Sequence, residues 1–70
     1  MNHNDKLTQT IYEFIKAYIE ACRKSPSIRE IGSGCYISNS TVMRHLDKLE
    51  ARGRIQREPN QARSIVIPDN

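Results

Sequence analysis

The sequence predicts an α+β domain, mainly helical, in which three helices are followed by a two-stranded β-hairpin. Three observations lead there. Apolar residues recur at steps of three and four in three successive runs, which is the period of a helix. Two serines, Ser27 and Ser38, stand where the second and third runs begin, as helix caps do. After Gly53 the apolar period drops to two, the period of a strand. With 70 residues the chain holds a single domain, expected over 7–67. Residues 1–6 (MNHNDK) are expected to be a flexible N-terminus and 68–70 a short tail.

The first helix is expected to start after Thr8 as N-cap, with Leu7 and Tyr12 spaced as a hydrophobic staple. Its apolar face is Ile11, Phe14, Ile15, Tyr18, Ile19 and Cys22. It should end near Lys24, because Pro26 disfavours helical geometry at Ser25. The second helix starts at Ser27. Ser27-Ile28-Arg29-Glu30 has the form of a capping box, with Ile28, Ile31 and Cys35 turned to the core. Gly32 and Gly34 each cost this helix roughly 1 kcal/mol relative to alanine, so both are expected to permit close packing. Tyr36 is expected to lie partly exposed over the turn that follows.

The third helix is expected over 38–52, capped by Ser38 and closed by Gly53 in a left-handed conformation. Val42, Leu46 and Leu49 form its inner stripe, with His45 packed at the edge. Ser40, Arg44, Asp47, Lys48 and Ala51 point the opposite way, and Thr41 lies beside them. Residues 54–57 and 63–67 read as two short strands joined by a turn-rich linker, with Ile55, Ile65 and Ile67 on the inward face.

Charged residues are 27% and apolar residues 37%, which fits a folded soluble domain rather than a disordered chain. The net charge is +3 and is not evenly spread. From Ser38 to Arg57 there are five positive side chains (Arg44, Lys48, Arg52, Arg54 and Arg57) against Asp47 and Glu50, while the rest of the chain is neutral. The basic excess therefore belongs to the third helix and the residues after it. Cys22 and Cys35 form no C-x-x-C pair and read as small core residues of a reducing compartment. With no signal peptide and no long apolar run, a cytoplasmic protein without membrane contact is expected.

Three helices and a hairpin in this order make a winged helix-turn-helix, with the hairpin as the wing. The residues also carry a likeness. "PSIREIG", "STVMRHLDKLEARGRI" and the closing "RSIVI" resemble the N-terminal DNA-binding domain of bacterial LexA-type repressors from about Leu7 to Ile67. The most specific parts are the S-x-R-E-I run before the turn and the H-L-x-x-L-E-x-x-G-x-I run that leads to R-x-I-x-I. Such domains usually carry glycine where Tyr36 stands, and one more residue in the turn. The resemblance implies sequence-specific binding of double-stranded DNA by a transcription repressor of the SOS response. The self-cleaving Ser–Lys domain of such repressors has no counterpart in these residues, so no protease activity is implied.

On that reading Ser40, Thr41 and Arg44 meet base edges in the major groove, where an arginine can donate two bonds to one guanine. Ser27, Arg29, Ser38, Lys48 and Arg52 are expected on the DNA backbone, joined by Asn60 and Arg63 from the wing. A domain this small makes few contacts, so a homodimer on a palindromic operator is expected. Two other readings stay open at this point. The modest charge also suits a winged helix that binds another protein. RNA binding is a third reading, although only Tyr12 and Tyr36 remain for an aromatic platform. An enzyme is not expected: His45 and Asp47 stand two apart on a helix and do not face each other. Cys22, Cys35, His3 and His45 lack paired zinc-ligand spacing, and no metal or cofactor is expected.

Overall fold

Eight apolar side chains build the core: Ile11, Ile15, Ile31, Val42, Leu46, Leu49, Ile55 and Ile65. Each contributes about 1.5–3 kcal/mol by leaving water. They come from three helices and the segment after them in a computed structural model that describes residues 3–58, 61 and 63–68, with side chains from Lys6 onward. The helices are α1 (His3–Cys22), α2 (Ile28–Cys35) and α3 (Asn39–Ala51), and each packs against the other two.

α1 begins five residues earlier than Thr8, so Thr8 is no cap and no Leu7–Tyr12 staple closes the helix start. Leu7 and Tyr12 pack separately against the core. Thr8 is itself buried, and its hydroxyl shares a 2.6 Å hydrogen bond with His45 Nδ1 on α3. A threonine ahead of an apolar run resembles a cap, but here its partner lies 37 residues away. α1 ends at Cys22, where Arg23 turns left-handed (φ 61) and donates its N–H to the Ile19 carbonyl. This last turn outruns the core, so Cys22 is exposed rather than buried as the apolar spacing suggested. Cys35 is half-buried, and burial pushes its thiol above the usual range.

The α2 capping box is formed. Glu30 donates its N–H to Ser27 Oγ (3.1 Å), and the Glu30 carboxylate accepts from the Ser27 N–H (2.9 Å). Tyr36 ends the helix in the left-handed region (φ 62, ψ 44), a geometry that costs a β-carbon-bearing residue about 1–2 kcal/mol. The Ile37 N–H then donates to the Gly32 carbonyl (3.0 Å). A β-carbon on Gly32 would stand 2.8 Å from the Ile37 carbonyl oxygen, and one on Gly34 would overlap the Phe14 ring. Both glycines thus permit the close approach their cost implied. α3 is capped by Ser38, whose Oγ accepts from the Thr41 N–H (3.2 Å). Gly53 (φ 74) closes it: its N–H donates to the Glu50 carbonyl and that of Arg54 to the Leu49 carbonyl.

Among the described residues the two strands expected after Gly53 are not formed as strands; there is only one antiparallel bridge, Gln56–Val66, with two 2.8 Å hydrogen bonds. Ile55 and Ile65 are buried and Ile67 packs against the core, so the inward face is the expected one. Pairing stops because side chains take over. Arg57 bonds α3, Arg63 turns left-handed (φ 58), and Ser64 Oγ accepts from the Glu58 N–H (3.0 Å).

Burial, reinforced by the cations of Lys48 and Arg44, lowers the His45 imidazole below its ordinary 6.5. Protonation is therefore easier in the unfolded chain. The stabilisation is full above 6.5 and is lost as the pH falls through the lower folded value. Melting should accordingly drop as the pH falls below about 6.5, and a His45→Gln variant should show a flatter profile. Equal slopes in the two proteins would exclude His45 as the cause.

Candidate nucleic-acid interface

α3 presents two faces because its apolar residues fall on one side only. Val42, His45, Leu46 and Leu49 are buried. Ser38, Asn39, Ser40, Arg44, Asp47 and Arg52 are exposed, and Thr41 and Lys48 are half-buried. The Ser38 and Thr41 hydroxyls lie 3.0 Å apart beside the cap. The first two turns of α3 thus offer short hydroxyls and one long cation, Arg44, on a face that the core does not use. Ser27 is half-buried and Arg29 exposed at the mouth of α2.

The basic excess is partly spent inside the protein. Arg57 pairs through Nη2 with Asp47 and through Nε with Glu50 (3.0 Å). The guanidinium of Arg54 lies 4.2 Å from the centre of the Tyr12 ring. The pairing explains Asp47, an anion on an otherwise basic face: its charge is answered by the segment that follows the helix. Arg44 and Lys48 pair with no carboxylate among the described residues.

Arg63 is turned toward α2. Its guanidinium meets the Glu30 carboxylate through two 2.8 Å hydrogen bonds and also donates to the Ser25 carbonyl (3.2 Å). Tyr18 adds its hydroxyl to Glu30 (3.1 Å), and the Ile65 N–H donates to Ser25 Oγ (3.1 Å). The Arg63 bond, then the Ser27 N–H, lower the Glu30 carboxyl from 4.5 to about 2. Its stabilisation is present above 4.5 and is lost as the pH falls through about 2. Glu30 thus joins the start of α2 to the segment between the bridged residues Gln56 and Val66, a link between residues 33 apart that no local pattern announces. Asn60 lies outside the described residues.

The chain matches the family model described as "LexA DNA binding domain" over residues 4–64. The chain belongs to the LexA DNA-binding domain family. It is 44% identical over its whole length to a protein named LexA repressor from Geobacillus kaustophilus, and covers 34% of that protein. It is 46% identical over 89% of its length to one of the same name from Listeria monocytogenes, and covers 31% of it. A Staphylococcus carnosus LexA repressor is 41% identical over 96% of the chain, which covers 33% of it. The chain thus spans about a third of the length of these relatives. No helix among its described residues is long and apolar enough to cross a membrane.

Within this LexA-family domain, the Arg57 pairs are the feature that composition concealed. Asp47 is largely exposed, so solvent screens the attraction. Arg57→Gln should therefore lower stability by no more than about 1 kcal/mol in urea denaturation. A loss of several kcal/mol would show that Arg57 anchors the segment by more than screened pairing.

Proposed function

We propose that this chain binds double-stranded DNA through α3 and represses transcription; its relatives are named repressors. The observation that carries the reading is the exposed polar start of α3, raised on a fully buried apolar stripe in a LexA-family domain. Ser40, Thr41 and Arg44 meet base edges in the major groove. Ser38, Lys48 and Arg52 meet phosphates from α3, and Ser27 and Arg29 from the mouth of α2.

Residues 54–67 serve as the wing on the flanking backbone, and Asn60 is proposed as a phosphate contact on the strength of the sequence alone. Arg63 serves the same end by holding that segment against Glu30. Two copies on a palindrome, half-sites about one helical turn or a multiple apart, supply the affinity that one small domain lacks. The setting is the bacterial cytoplasm. Selection from a random duplex pool, followed by binding at two salt concentrations, tests the reading. A recurrent palindromic site with affinity falling steeply in salt is expected. Absence of any duplex enrichment overturns it.

A further inference from the structure

Tyr36 has a backbone task but no structural task for its ring. The backbone closes α2 in the left-handed region, which glycine enters without strain. The ring is 93% exposed and makes no hydrogen bond or ring contact with any described residue. Its neighbour Ile37 packs against the core. The turn therefore retains a strained, large and solvated side chain at a position where glycine would keep the cap. Ser38, which opens α3, follows two residues later, a chain distance of at most about 7 Å. Tyrosine combines an apolar face with a hydroxyl donor, a pairing suited to a surface that becomes partly desolvated on binding.

We propose that Tyr36 is a further DNA-contact residue. Its phenol hydroxyl donates to a phosphate oxygen beside the bases that α3 meets, and its ring lies against the adjoining deoxyribose. The inference rests on the reading of α3 as the DNA-contacting helix. The contact is sequence-independent, because phosphate and sugar are the same at every step.

The test uses the whole chain, a duplex selected by the wild type from a random pool, and a scrambled duplex of equal length. Fluorescence anisotropy reads affinity and a thermal melt reads stability. Tyr36→Gly should melt no lower than wild type and yet bind both duplexes about 5- to 10-fold more weakly, the weight of one hydrogen bond and its ring contact. Tyr36→Phe should lose about 2- to 5-fold on both. Stability held while affinity falls is a result that a structural role for the ring does not give. Wild-type affinity in the glycine variant overturns the proposal, and so does a loss confined to the selected duplex. If the glycine variant melts lower, Tyr36→Phe decides, because it keeps ring and backbone: wild-type affinity there overturns the phenol contact. A random pool from which the wild type selects no duplex sinks the reading of α3 instead.

Discussion

Arg44→Ala is expected to cut discrimination between the selected site and random duplex DNA by about 10- to 100-fold, the worth of one good bidentate contact to a base. Arg44 is exposed about one and a half turns into α3, on the face opposite Leu46 and Leu49, and pairs with no carboxylate among the described residues. Nothing in the fold depends on it, so the variant should melt with the wild type. Lys48→Ala is the control. An ammonium that meets a phosphate adds affinity to every sequence, so its loss should weaken both duplexes alike and reduce the salt slope by about 1. Equal losses on both duplexes for Arg44→Ala would remove it from the base-reading set. The two variants separate reading from holding on one helix face.

The parts of this fold legible in the sequence are those decided within a few residues. Ser27 with Glu30, and Ser38 with Thr41, are caps closed over three positions, and both formed as spaced. Gly53 ends α3 by its own conformational freedom. The inner stripe of α3 follows from a period of 3.6. What escaped is what depends on a distant partner. Thr8 looked like a cap because its partner, His45, lies on another helix. Cys22 continues the apolar rhythm of α1 past the point where α2 and α3 cover it.

The candidate site divides in the same way. Ser40 and Arg44 are displayed as the helical period requires, since no other element competes for that face. Arg57 and Arg63 read as free cations of a wing because each follows a turn-rich segment or a strand pattern. In the folded chain each finds carboxylates: Asp47 and Glu50 for the first, Glu30 for the second. These pairs accompany a single backbone bridge in the segment after α3. The described residues between Gln56 and Val66 are held by the side chains of Arg57, Arg63 and Ser64 rather than by a ladder.

Gly32→Ala is expected to destabilise the domain by about 1–3 kcal/mol, the cost of overpacking a tight contact. In a helix interior alanine would ordinarily gain roughly 1 kcal/mol over glycine, so propensity alone predicts the opposite sign. The difference lies in what the new β-carbon meets: the Ile37 carbonyl oxygen at 2.8 Å and the Asn39 side-chain oxygen at 3.2 Å. The first is backbone, and it belongs to the turn that sets α3 against α2. It cannot yield without moving Ser38 and the exposed face behind it. Gly34→Ala makes the contrast. Its β-carbon would overlap the half-buried Phe14 ring, a side chain that is expected to yield by rotation where a backbone carbonyl cannot, so propensity offsets part of the clash. In a domain of this size 1 kcal/mol moves the melting point by about 4–8 °C, so thermal denaturation resolves the pair. Gly32→Ala should melt well below Gly34→Ala and lose DNA affinity beyond its loss of folded fraction, because the turn itself is displaced. Equal melting points for the two variants would show that the carbonyl gives way as easily as the ring, and that the angle between α2 and α3 does not depend on Gly32.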